Sequence, residues 1–191
     1  MKLSKTGATF LVFTCLTSPI SAEVVAGIDI PDTLSVSGQT LQLNGAGVRT
    51  VTFVFVPIKA YVASFYSPSP LRSSEAVQAS PGPLQFNFTF LQGASQGQVT
   101  AAWNAQFKAS VTVTYPTLRQ DQAEFVAFFG ALNKGTVHTV QFVGDETRIL
   151  ENGLMKGAIP GREFQRAFLS MWFGSVPVMS SLKTDLLGGS S

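Results

Sequence analysis

Arg49 heads a long apolar, strand-like run, LNGAGVRTVTFVFVPIKAYVASFY from Leu43 to Tyr66, in which Lys59 and Tyr61 follow as further polar tips. A guanidinium is costly to bury unless an anion or hydrogen-bond acceptors meet it. Strand alternation puts Arg49, Val51, Phe53 and Phe55 on one face, and Lys59, Tyr61, Ala63 and Phe65 on one face of the next segment. If the two segments pair across a turn near Pro57 and Ile58, the tips of Arg49 and Tyr61 reach one cavity. A cation at the end of an aromatic wall suits an amphipathic acid. The competing reading makes Arg49 a surface strand-end residue, or the partner of Asp29 or Asp32.

Other chemistry is less well supported. Gly93-Ala94-Ser95-Gln96-Gly97 matches a nucleophile-elbow pattern, with Asp121 and His138 following in hydrolase order. The chain lacks the alternating strand–helix series of that fold, and Ser95 with Gln98 three residues on also spells a capping box. His138 is the sole histidine and Cys15 the sole cysteine, so no transition-metal site is expected and no cofactor is implied. Asp145 and Glu146 belong to a turn. Asn87-Phe88-Thr89 is a formal glycosylation sequon, but it sits inside a phenylalanine-rich strand.

The elements that must position Arg49 follow from periodicity. Thr33–Val36 and Thr40–Leu43 flank the hairpin signal Ser37-Gly38-Gln39, and Ser67–Pro83 reads as an irregular loop. Leu84–Leu91 alternates Phe86, Phe88 and Phe90 on one face. Gln98–Val111 carries Val99, Trp103 and Phe107 as a helical stripe, and Arg119–Leu132 repeats the pattern with Phe125, Phe128, Phe129 and Leu132. Strands return at Val137–Val143, Thr147–Leu150 and Leu154–Ala158, with Asn152-Gly153 as a hairpin turn. Pro160 opens a helix through Phe173, and a last helix holds Leu182, Leu186 and Leu187. Strands, helices, an antiparallel meander and helices again give an α+β domain, one antiparallel sheet covered by a helical layer.

Lys2 and Lys5, the apolar run Phe10–Leu16 and the small residues Ser18–Ala22 read as a signal peptide cut after Ala22 or Ala26, with a domain over 27–188. The expected protein is exported, periplasmic or secreted, with no transmembrane segment. Removing the two leader lysines from 13 basic residues leaves 11 against 11 acidic ones, a balance that points to neither nucleic acid nor an anionic membrane surface. Only 13% of residues are charged and 16 are phenylalanine, so the interior is either a Phe-rich solid core or one holding an apolar cavity.

GAGVR at Gly45–Arg49, IKAYVASFY at Ile58–Tyr66, the Ala102-Trp103 helix, the Glu151-Asn152-Gly153 turn and IPGREFQRAFLSMWFGSVPV at Ile159–Val178 together resemble the chalcone-isomerase superfamily. The likeness is to exported bacterial chalcone-isomerase-like proteins and to plant fatty-acid-binding members. It implies an open-faced sandwich, a large antiparallel sheet with a layer of helices. In the isomerases the arginine matching Arg49 holds the substrate oxyanion; in the fatty-acid-binding members it grips a carboxylate with a strand tyrosine, here Tyr61. Lys59 stands where the isomerases have a threonine, Gly97 near their helix-entry tyrosine, and Arg162 near a late threonine, while Asn104 matches their asparagine. The resemblance therefore implies binding of a fatty acid or similar apolar carboxylate rather than ring closure. The expected site is Arg49, Tyr61, Lys59 and Asn104, with Phe53, Phe90, Trp103 and Phe107 along the tail. The second reading is an isomerase acting on a chalcone-like or other unsaturated carbonyl compound, with Arg49 as electrophile. The third is a partner-binding protein with a solid core.

Overall fold

The computed structural model describes residues 22–111 and 115–189, apart from the side chain of Phe53, so the leader expected before Ala22 lies outside the described residues. The strands are β1 (Ala22–Val25), β2 (Ile28–Pro31), β3 (Thr33–Val36), β4 (Gln39–Phe53), β5 (Val56–Ser67), β6 (Leu84–Phe90), β7 (Val137–Val143), β8 (Glu146–Glu151) and β9 (Leu154–Pro160). The helices are α1 (Ser74–Ala79), α2 (Gln96–Ser110), α3 (Leu118–Ala127), α4 (Arg162–Phe173) and α5 (Ser180–Leu186).

β3 to β9 form one seven-stranded antiparallel meander in sequence order, and β1 pairs with β2 as a separate hairpin. Period-two alternation divides the apolar residues between the two faces. Ala63, Phe65, Phe86, Phe88, Val140, Phe142 and Ile149 pack beneath Val99, Phe125, Phe168 and Trp172 of the helices. Val62 and Tyr66, one step out of phase, join Ile30, Val36 and Leu41 on the other side. That second face is covered only in part. Further along it, Asn87 accepts from Gln85 and Thr139, and Gln141 donates to Gln85, so this side of β6 and β7 is a polar ladder. This is the expected open-faced sandwich, with the β1–β2 hairpin as an addition. Asn87 is tied into the ladder, which explains the sequon as sheet polarity.

Several boundaries differ from the periodic reading for local reasons. The Ser67–Pro83 loop contains α1, started by the Ser73 hydroxyl accepting from the Ala76 N–H. α3 ends at Ala127, because the chain turns back and Leu132 exchanges backbone bonds with Ala94 at 2.8 and 3.1 Å. Pro160 closes β9 opposite Glu146, and α4 starts after Gly161 at φ 100°. The break between β4 and β5 falls at Val54-Phe55; Pro57 lies inside β5 opposite Thr52.

The GAGVR segment has a packing cause. Gly45 pairs with Phe65, Gly47 with Ala63 and Arg49 with Tyr61, so all three glycine and arginine positions face the helices. α5 lies directly on the two glycines. A Cβ at Gly45 would stand 2.9 Å from the Leu186 carbonyl carbon and closer still to the Asp185 carbonyl oxygen. A Cβ at Gly47 would meet Leu182 Cδ1 at 2.9 Å. Because the obstacle at Gly45 is backbone, Gly45→Ala is expected to displace α5 and cost about 1–3 kcal/mol. The control is Gly97→Ala in α2, where nothing lies within 4 Å of the added carbon. That substitution is expected to be neutral or to stabilise by up to about 1 kcal/mol. Urea midpoints of the two variants provide the comparison.

Candidate functional site

Arg49 and Tyr61 are direct cross-strand partners, but Thr50 pairs with Lys59, leaving Ala60 as an extra residue in β5. The irregularity resets the alternation. Tyr61 and Arg49 share the helix-covered face, whereas Lys59 follows Thr50 to the opposite one and is exposed. Lys59 is therefore removed from the expected site.

The Tyr61 ring is fixed edge-on between Phe88 at 5.4 Å and Phe90 at 5.7 Å. Trp172 of α4 packs on Phe88 at 5.1 Å and Phe168 at 4.8 Å, and it is 1% exposed. Its buried indole Nε1–H meets no acceptor in hydrogen-bond geometry. Arg49 is half-buried, and its Nη1 donates to the Thr50 carbonyl at 2.8 Å. Neither Asp29 nor Asp32 forms an ion pair with it. Burial pushes the Tyr61 phenol up to about 12, against the opposing pull of the Arg49 charge and of contacts from Trp172 and Arg49. The hydroxyl therefore stays protonated at neutral pH. Guanidinium, phenol and indole are three donors gathered at one point.

That point is the head of a cleft of about 520 Å³. Val51 and Ala60 of the hairpin, Phe90, Ala94 and Leu132 form one side; Val99, Ala102, Trp103, Ala105 and Ala109 of α2 form the other. α2 starts at a capping box in which Ser95 accepts from the Gln98 backbone and Gln98 Oε1 accepts from the Ser95 backbone at 2.8 Å. Ala102, Ala105 and Ala109 fall on one helical stripe. Their short side chains leave the space that the cleft occupies.

Of the expected site, the cleft brings together Arg49, Tyr61, Phe90 and Trp103. Phe107 is instead buried in the core against Phe125 at 5.8 Å and Phe164 at 6.1 Å, one helical step away from the alanine stripe. Asn104 faces α3, accepting from Gln122 at 2.8 Å. The Phe53 side chain lies outside the described residues. Trp172 was hidden among the inward residues of α4, because an indole in an apolar stripe reads as packing. Ala102, Ala105 and Ala109 did carry a signal, since small residues opposite a cation mark room rather than core.

The elbow-like residues do not assemble. Ser95 is occupied as a helix cap, Asp121 accepts from Thr117 at 2.9 Å, and His138 is buried behind Phe90 with Glu151 at 3.3 Å. Among the described residues no three His, Cys, Asp or Glu side chains are grouped to hold a metal ion. A second groove, about 790 Å³, runs between β4 and α5, with Glu23, Arg72 and Asp185 on its rim. It lacks the apolar lining of the first.

A chalcone isomerase-like family model matches residues 22–188. The chain belongs to the chalcone isomerase-like family. No curated protein matches the sequence. Among solved structures, a fatty-acid binding protein from Arabidopsis thaliana superposes with a TM-score of 0.67 at 11% identity, covering 87% of this chain and 96% of that one. The likeness establishes the fold. In this chalcone isomerase-like chain the donors stand where the first long hairpin meets α4.

His138 adds a pH dependence behind the cleft. Burial against Phe129, whose ring centre is 4.3 Å away, drives its pKa from 6.5 down to about 4, although the Glu151 charge pulls it upward. In that interval the unfolded chain takes up a proton that the folded protein refuses. Stability is thus full above pH 6.5 and falls as the pH drops toward 4, by at most about 1.4 kcal/mol per pH unit. Thermal unfolding across this window is expected to show a steep acid slope in the wild type and a shallower one in His138→Phe.

Proposed function

We propose that the protein binds a fatty acid or similar apolar carboxylate without catalysis. The observation that carries this reading is the group of Arg49, Tyr61 and Trp172 donors lining one mainly apolar cleft. A carboxylate completes all three: it accepts a charge-assisted pair of bonds from Arg49, one from the Tyr61 hydroxyl and one from the Trp172 indole. The acyl chain then lies along the alanine stripe of α2 toward Ala94 and Leu132. Each buried methylene contributes about 0.8 kcal/mol, so affinity should rise roughly fourfold per carbon until the cleft is full. The likeness to a fatty-acid binding protein supports the same ligand class.

An isomerase acting on an enone would also use these donors, on a carbonyl oxygen. Such chemistry ordinarily needs a group to take or relay a proton. The titratable side chains of the cleft are Arg49 and Tyr61, and the Tyr61 phenol is held in its protonated form. Binding is the better supported reading.

Export is part of the proposal. The basic start and apolar run before Ala22 support it, and β1 favours the cut after Ala22: a cut after Ala26 would delete the strand that pairs with Ile28–Pro31.

Calorimetric titration with dodecanoate tests the site. Arg49→Ala is expected to weaken binding by about 2–5 kcal/mol, or roughly 30-fold to several thousand-fold. Trp172→Phe, which keeps an aromatic ring, is expected to lose about tenfold or more through one missing bond to a charged oxygen. Unchanged affinity in Arg49→Ala, with no lipid retained on the gently purified protein, would contradict the proposal. A second readout is the Trp172 indole N–H resonance, which should shift on titration as the bond forms.

A further inference from the structure

The β4–β5 hairpin extends beyond the sheet. The last ladder pair of β5 with β6 is Tyr61 with Phe90, and the Leu91 N–H still donates to the Ala60 carbonyl at 2.9 Å, so Val56–Lys59 and Thr50–Phe53 stand alone as a two-stranded finger projecting roughly 13 Å. Val51 on one side of this finger and Arg49 at its base line the cleft. Its tip is apolar and bare: Val54 is 71% exposed, Phe55 95% and Val56 58%.

Folding does not account for those residues. Val54 and Phe55 adopt φ values of 45° and 64°, the double left-handed turn that Asn-Gly occupies without strain. A β-branched residue at positive φ is a genuine outlier, and strain of this kind persists mainly where side chains serve a purpose. A fully exposed phenylalanine at a strained turn gives nothing to the core. The ladder registers place the β8–β9 turn at the same end of the sheet, where Leu154 is 73% exposed and Met155 55%.

Charge at this end is one-sided. The four segments 52–60, 91–95, 130–136 and 150–156 carry Lys59, Lys134 and Lys156 against Glu151 alone. Glu151 is paired with Lys156 at 3.5 Å, which leaves the charges of Lys59 and Lys134 in excess. The neutral balance expected of the mature chain conceals this grouping.

We propose that this end docks on an anionic lipid bilayer, with the Val54–Val56 tip entering the interface and the lysines meeting headgroups, so that the cleft opens beside the membrane. Two narrow apolar tips set among lysines suit a deformable surface better than the flat, shape-matched patch a protein partner requires. The choice of lipid rests on the reading of the cleft as an acyl-carboxylate site.

The test is co-sedimentation of the full mature chain with phosphatidylethanolamine–phosphatidylglycerol vesicles and with phosphatidylcholine vesicles. The wild type is expected to pellet with the anionic vesicles and less with the neutral ones. Val54→Asn/Phe55→Gly installs the preferred turn, so folding is not at risk. It is expected to lose partitioning by about tenfold or more, while dodecanoate affinity in vesicle-free buffer stays unchanged. Lys59→Gln/Lys134→Gln should reduce anionic-vesicle binding by about fivefold per lysine. Failure of the wild type to pellet, or equal pelleting of the tip variant, would overturn the docking surface. So would a concentration-dependent dimer on gel filtration that the tip substitution abolishes, without vesicle binding. Vesicle binding without dodecanoate binding would count against the cleft reading and leave the docking surface standing.

Discussion

A guanidinium on the helix-covered side of a sheet imposes the strongest constraint on this fold. Its charge cannot be surrendered, and every neighbouring position on that face is built for apolar packing or for close approach of a helix. The chain meets the requirement by stopping the core short. Phe65, Phe86 and Phe88 fill the space under α4 completely, and beyond Phe88 the helix opposite presents alanines instead of large side chains. The cleft is the volume left by that change, with Arg49 at its head.

Three local features keep the arrangement in place. Gly45 and Gly47 admit α5 to the sheet, which sets the phase that delivers Arg49 to the same side. The extra residue at Ala60 then places Tyr61, and not Lys59, across from it. Ring packing among Phe88, Phe90, Trp103 and Trp172 immobilises the phenol and the indole. Donors held by stacked rings do not have to be ordered when an anion arrives, so little side-chain entropy opposes binding.

Much of this is written locally in the sequence and some is not. The alternation of Phe86, Phe88 and Phe90, the Asn152-Gly153 turn and the Ser95–Gln98 capping box each act through near neighbours, and their elements form where periodicity places them. Arg49 and Tyr61 are likewise legible, because a charged and a phenolic side chain interrupt an apolar run. Lys59 is misplaced by simple alternation because a single inserted residue reverses facing, and insertion depends on the partner strand. Phe107 and Trp172 share a further difficulty. Whether an aromatic ring on a helix fills the core or borders a cavity is decided by what lies across from it, and this information sits dozens of residues away. The abundance of phenylalanine turned out to describe the solid core; the alanines describe the cavity.

The most direct measurement is a crystal structure of the protein grown with dodecanoate. The carboxylate is expected within hydrogen-bond distance of the Arg49 guanidinium, the Tyr61 hydroxyl and the Trp172 Nε1, with the chain running along Ala102, Ala105 and Ala109. A carboxylate bound elsewhere, or a cleft that stays empty of ligand at saturating dodecanoate, would contradict the assignment of Arg49 as an anion anchor.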